Sequence, residues 1–240
     1  MSEVQRATGS HRRGGAWTGG VQGNQRLIAL TGLVLLTLLI VEVLTVPLRV
    51  RTLLSLHTFV GLMLVPPVLL KLAGTIYRFA RYYTGDAAYR AAGPPALPLR
   101  LMGPFLVLST VGLFGSGGIL LLAGPSVSSV WRPIHAAFFY VWLVFMVVHI
   151  SVYLPRTYTW EVQDLRGAHA GGAGGRRGSI ARHELVAGSV LLGVALAIAA
   201  IPWNGAWLHV LHASRIHAIA NPALHLALVA VPGTVVGFAA

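Results

Sequence analysis

The sequence predicts an all-α membrane protein, a polytopic bundle of five transmembrane helices with a possible sixth. Of its 240 residues, 55% are hydrophobic and only 10% are charged, and the mean hydropathy is +0.73. In a soluble globular domain about a quarter of the residues are charged. Several apolar runs also reach the roughly 20 residues that a helix needs to cross a bilayer. Composition and run length therefore both favour a membrane domain over a soluble one.

Charge and cysteine content exclude several classes of function. The chain carries a formal charge of +12 and contains no cysteine. It therefore cannot form disulfides, ligate haem through a thiolate, attach a c-type haem or hold an iron–sulfur cluster by itself. No basic amphipathic stretch with interleaved aromatic residues accompanies the positive charge, so nucleic acid is not an expected partner. The arginines are typical of cytoplasmic loops that contact anionic membrane lipids.

The apolar runs divide the chain into four regions. Residues 1–26 are rich in Gly, Ser, Arg and Gln and are expected to form a disordered basic tail. A four-helix membrane domain is predicted over 27–155, a flexible polar loop over 156–182, and one or two further membrane helices over 183–240. The individual spans are expected at 27–47, 53–79, 99–123, 132–154 and 184–202, with a weaker run at 221–238.

The distribution of arginines predicts the orientation of these spans. Thirteen arginines lie in the tail and in or beside the loops that follow the second and fourth spans. The short loops of the other side hold three: Arg49, Arg51 and Arg132. Because cytoplasmic loops carry an excess of positive residues, we expect the N-terminus to be cytoplasmic in a plasma (inner) membrane.

Two histidines interrupt the fourth span, His135 and His149. They are fourteen positions apart, so at about 100° per residue they face within roughly 40° of each other and lie about 21 Å apart along the axis. Ionisable side chains inside a membrane are costly and usually functional. Two imidazoles on one face, at opposite depths, indicate axial ligands for haem, although interfacial histidines bonded to water or a carbonyl would show the same pattern.

Partners for both histidines are found on other spans. With the predicted orientation, His57 on the second span lies at the same outer depth as His135, and the two are predicted to ligate one b-type haem. Gly61 follows His57 by one turn, where a missing side chain would admit a flat ligand. Arg132 lies one turn above His135 and is suited to a haem propionate. The depth-matched partner of His149 is His183, which defines a possible second, inner haem.

These residues resemble the cytochrome b subunits of membrane-bound formate dehydrogenases and nickel-iron hydrogenases. In that family the second helix supplies one histidine and the fourth supplies two, positions that His57, His135 and His149 match. The family takes its remaining ligand from the first helix, whereas the first span here contains no histidine. The resemblance covers residues 27–155. It implies a subunit that transfers electrons between quinone and an extracytoplasmic oxidoreductase, rather than an enzyme acting alone.

Two other functions are open from the sequence. The protein could be a haem-free transporter or assembly factor whose histidines handle protons or metal, with His209, His212 and His217 as an outer metal site. It could also resemble a ferric reductase. That activity needs a flavin or nicotinamide domain, and no glycine-rich dinucleotide fingerprint follows a strand in this sequence, so a separate subunit would have to supply it.

Overall fold

The protein is almost entirely helical in the part of the chain that the structure, a computed structural model, describes. The described residues are 20–45, 53–94, 97–170 and 172–209, and no strand occurs among them. This confirms the all-α prediction. The helices are α1 (Gly20–Thr45), α2 (Leu54–Tyr83), α3 (Ala87–Ala91), α4 (Leu97–Ala123), α5 (Ser128–Ala170) and α6 (Gly172–Ala199), with 3₁₀ turns at Pro125–Val127 and Ile201–Asn204.

Five of the described helices, all except α3, are long and apolar enough to cross a membrane. Large apolar side chains are exposed along them, among them Leu108 at 66%, Val144 at 64% and Leu191 at 69%. A soluble monomer rarely exposes apolar surface so extensively, whereas a bilayer solvates it. These helices are those of a multi-pass membrane protein. The predicted sixth run at 221–238 lies outside the described residues.

The helices extend beyond several of the predicted span boundaries. The first helix begins at Gly20, ahead of the predicted start at residue 27, and the predicted flexible loop at 156–182 is helical at every described position. Most residues of 156–170 have ordinary helix propensity and none is proline. The change to polar composition therefore marks where a helix becomes too polar for the bilayer core, and not where the helix ends.

The chain divides into two compact units, each built from several separate stretches of sequence. The first comprises 1–41, 63–96 and 150–193. Within it, α1 and α2 are joined by two polar contacts. Asn24 Nδ2 donates to the Gly74 carbonyl at 3.0 Å, and Lys71 Nζ donates to the Ile28 carbonyl at 3.0 Å. A lysine inside a span is costly unless it finds an acceptor, so this backbone carbonyl stabilises Lys71 at its position.

A glycine of α6 permits the closest backbone approach in the first unit. A Cβ atom built on Gly193 would lie 2.3 Å from the Met63 carbonyl oxygen and 2.9 Å from Met63 Cα. These are backbone atoms, which cannot rotate away as the end of a side chain can. Close approach through small residues is the usual way in which membrane helices pack, and here it requires glycine.

The second unit comprises 42–62, 97–149 and 194–240. In it α4 and α5 pack through aromatic residues: Phe105 and Phe145 stack with ring centroids 5.5 Å apart, and the Phe138 ring fills the space beside Gly112. After α6, Trp207 Nε1 donates to the Leu120 carbonyl near the end of α4 at 3.0 Å. This carbonyl belongs to the last turn of α4 and also accepts a hydrogen bond from the Gly124 N–H at 3.1 Å.

Candidate functional site

The second unit brings together the two histidines that the sequence predicts to share one depth. His57 lies near the start of α2 and His135 lies near the start of α5. Their ring centroids are 6.3 Å apart and the ring planes are nearly perpendicular, at 88°. We refer to His57 and His135 as the histidine pair. Their proximity follows from the structure, whereas their role as haem ligands stays a prediction.

The His57 ring is held by two oxygen atoms contributed by the end of α1. Its Nδ1 lies 2.9 Å from Glu42 Oε1 and 2.9 Å from Thr45 Oγ1. The Thr45 hydroxyl donates its own hydrogen to the Glu42 backbone carbonyl, so Thr45 Oγ1 accepts from the imidazole. Both contacts therefore require a hydrogen on His57 Nδ1.

The His135 ring is held in the same manner by α4. Its Nδ1 lies 3.0 Å from Ser116 Oγ. The Ser116 hydroxyl donates to backbone carbonyls one turn earlier in its own helix, at Gly112 and Leu113, so its oxygen accepts from the imidazole. A hydrogen on Nδ1 satisfies this contact, and with it the two rings are in the same tautomer.

In this tautomer Nε2 is the ring atom that can bind a metal. With hydrogen on Nδ1, the lone pair of a neutral imidazole is on Nε2, and histidines that ligate metals typically donate their other ring N–H to a carboxylate, carbonyl or similar acceptor. A metal–imidazole bond is about 2 Å long, so two imidazoles on opposite sides of one metal have centroids about 6 Å apart. The observed 6.3 Å fits that arrangement.

A haem would need fewer protein ligands than a metal ion bound only by protein. Among the described residues, no three His, Cys, Asp or Glu side chains form a group able to hold a metal ion. A haem iron needs only two protein ligands, because the macrocycle supplies the others. The separation of the rings also lies within the range of an ordinary aromatic edge contact, so haem ligation by the pair stays a prediction.

Two glycines provide room for this arrangement. A Cβ atom on Gly61 would lie 3.2 Å from Glu42 Oε1, and one on Gly117 would lie 3.1 Å from His135 Cε1. Gly61 thus admits the carboxylate that holds His57, a contact that the sequence does not indicate. Its predicted role beside a flat ligand stays a prediction. Arg132, the predicted propionate partner, is exposed on α5, three residues before His135.

The two histidines of the predicted inner site, His149 and His183, belong to different units. His149 lies half-buried on α5 in the second unit. His183 lies half-buried on α6 in the first unit, and its Nδ1 donates to the Ser179 carbonyl at 2.9 Å. Hydrogen on Nδ1 is the tautomer in which a histidine binds a metal through Nε2. The predicted ligation of a second haem by these residues stays a prediction.

Sequence reasoning did not identify the residues that orient the histidine pair. Ser116 and Gly117 lie within a run of small residues, which is typical of close helix packing, and Thr45 carries no signal of its own. Glu42 is the one charged residue of the predicted first span. In the structure it contacts His57 on the neighbouring helix α2.

Neither the alternative metal site nor comparison with known proteins assigns a function to the chain. Of the three histidines proposed for an outer metal site, only His209 lies within the described residues, where it is exposed; His212 and His217 lie outside them. Comparison of the chain with models of known protein families, with curated proteins and with solved structures finds no match.

Proposed function

We propose that this protein is a membrane-bound b-type cytochrome in which His57 and His135 are the axial ligands of one haem. The haem would supply a one-electron carrier. We further propose that the protein transfers electrons between the quinone pool and an extracytoplasmic oxidoreductase subunit, as the resemblance to cytochrome b subunits implies. It would then act as a subunit of a redox complex rather than as an enzyme alone.

The observation that carries this proposal is the geometry of the histidine pair. The ring centroids are 6.3 Å apart, and Nδ1 of each ring lies beside an oxygen atom that can accept its hydrogen. Helix packing supplies these oxygen atoms, from α1 through Glu42 and from α4 through Ser116. Arg132 is the residue of the chain that we expect to contact a propionate.

The direct test is a reduced-minus-oxidised optical spectrum of the purified protein, with haem quantified per chain. Bis-imidazole ligation should give a low-spin ferric spectrum and a sharp alpha band on reduction. Purified protein that lacks a Soret band, even after expression with added haem precursor, would contradict the cytochrome proposal. The haem-free transporter or assembly factor would then be the better explanation of the membrane histidines.

The proposed orientation has its own test. With the N-terminus in the cytoplasm, residues 80–98 and 156–182 lie on the cytoplasmic side, because both segments carry the excess of arginine. Reporter domains fused at Gly93 and at Gly172 should both report the cytoplasm. An extracytoplasmic signal at either position would invalidate the assignment of the histidine pair to the outer side.

A second haem is tested by stoichiometry. If His149 and His183 hold an inner haem, the purified protein should contain about two haems per chain, and His183→Ala should remove one of them. The spectrum that remains in His183→Ala should be that of the histidine pair. A wild-type ratio close to one haem per chain would reject the inner site and leave the proposed ligation by His57 and His135 intact.

A further inference from the structure

Glu42 places a carboxylate inside the second unit, where the free-energy cost of burying its charge must be offset by an interaction. Its side chain is only 15% exposed. One oxygen, Oε1, contacts His57, while the other, Oε2, is buried without a hydrogen-bond partner among the described residues. A carboxylate in a transmembrane segment is costly, more so when one oxygen is unsatisfied. The interaction with His57 is the one that offsets this cost.

The residues around Glu42 hold its carboxylate beside His57 Nδ1. The absence of a side chain at Gly61 leaves Oε1 the space that it occupies, since a Cβ there would lie 3.2 Å away. Thr45, one turn later on α1, adds a second acceptor at the same nitrogen. Glu42 and Thr45 thus each place an oxygen atom beside His57 Nδ1, and Gly61 leaves the space that the Glu42 oxygen occupies.

The two rings of the pair consequently differ in the charge beside them. His57 Nδ1 faces a carboxylate, whereas His135 Nδ1 faces the neutral hydroxyl of Ser116. Hydrogen bonds with an ionised partner are roughly twice as strong as neutral ones. A carboxylate that accepts from a metal-bound imidazole also makes the imidazole a more basic ligand. The pair is therefore asymmetric in a way that its sequence spacing does not reveal.

We propose that Glu42 is the positioning residue of the histidine pair: it holds His57 in the tautomer that presents Nε2, and its negative charge stabilises the oxidised form of a metal bound there. The first part concerns the protein alone, and the second rests on the proposed haem function. The sign of the second effect follows from electrostatics. Oxidation adds positive charge at the metal, so a nearby carboxylate favours the oxidised form and lowers the midpoint potential.

The first part is tested in the haem-free, full-length protein by NMR of the histidine ring nitrogens. The His57 signals are assigned from their loss in His57→Ala. The wild type and Glu42→Gln should both show hydrogen on Nδ1, because the amide oxygen of glutamine can still accept. Glu42→Leu should show a mixture of tautomers, because the neutral Thr45 hydroxyl that remains beside Nδ1 can either accept or donate a hydrogen bond. An unchanged single tautomer in Glu42→Leu would overturn the positioning role, whether or not the protein binds haem.

The second part is tested in the haem-loaded protein by redox titration. Glu42→Gln, which is isosteric, should keep the low-spin spectrum and the haem content but shift the midpoint potential upward. Glu42→Leu should lose affinity for haem by about 10- to 100-fold, the usual effect of removing such a partner. Ser116→Ala is the matched control, since it removes a neutral acceptor from the other ring and should shift the potential less.

The outcomes separate this inference from the proposed function. A potential that is unchanged or lower in Glu42→Gln would overturn the effect of the charge, although the cytochrome proposal would stand. A shift in Ser116→Ala as large as that in Glu42→Gln would likewise overturn it. A wild-type protein without haem would contradict the proposed function and with it the effect on potential, and the NMR measurement would still decide the tautomer.

Discussion

Replacement of either member of the histidine pair by alanine is expected to abolish the low-spin haem spectrum. His57→Ala and His135→Ala each leave the iron with a single axial imidazole, so the haem should either dissociate or become high-spin. The two variants should have the same effect, because the two rings would share one metal. Optical and electron paramagnetic resonance spectra of the purified variants, normalised to protein, provide the measurement.

Two controls make this result specific. His209→Ala removes an exposed histidine that lies outside the pair and should leave the spectrum unchanged. Added imidazole should restore a low-spin spectrum in His57→Ala or His135→Ala, because the small ligand can occupy the space of the missing ring. If both alanine variants keep the full low-spin spectrum, the pair does not ligate the haem.

Arg132→Ala is expected to act more weakly than either histidine substitution. A propionate partner contributes charge and hydrogen bonds but no bond to iron. The low-spin spectrum should therefore survive, while the potential shifts or the haem dissociates more readily. Loss of the low-spin spectrum in Arg132→Ala would mean that this arginine supports the fold of α5 and not only a propionate.

The number and type of the long helices could be predicted from the sequence because both depend on local properties. An apolar run of about 20 residues forms a helix in a bilayer, because the helix satisfies the hydrogen bonds of its backbone N–H and C=O groups where no water is present. Helix ends were predicted less well, since α1 starts at Gly20 and the described residues of 156–182 are helical. Outside the bilayer, hydropathy does not limit a helix, and only caps, glycines and prolines do.

The histidine pair could be predicted for a related reason, but its surroundings could not. Depth in a membrane is proportional to residue number along a helix, so His57 and His135 could be matched without knowing how their helices pack. The partners of the rings depend on helix rotation and separation. The small residues illustrate the limit: a Cβ on Gly112 or Gly117 would contact α5, whereas one on Gly115 or Gly118 would meet open space.

The second large effect is expected at Gly193, where an added side chain would meet the backbone of another helix. Gly193→Ala would place a methyl group 2.3 Å from the Met63 carbonyl oxygen and 2.9 Å from its Cα. Because these are backbone atoms, α6 or α2 must shift to relieve the overlap. Inserting one carbon into a well-packed core usually costs about 1–3 kcal/mol, and a clash with rigid backbone belongs at the upper end of that range.

Gly188→Ala provides the matched control for this prediction. Gly188 lies on the same helix, is exposed, and has no atom within 4 Å of the position that a Cβ would take. The covalent change and the gain in helix propensity are identical in the two variants, so their difference isolates the contact with Met63. In detergent, Gly193→Ala should melt below the wild type, by about 2–4 °C per kcal/mol for a chain of this size, while Gly188→Ala should melt at or slightly above it. Equal melting temperatures for the two alanine variants would show that α6 does not approach the Met63 backbone as closely as the structure places it.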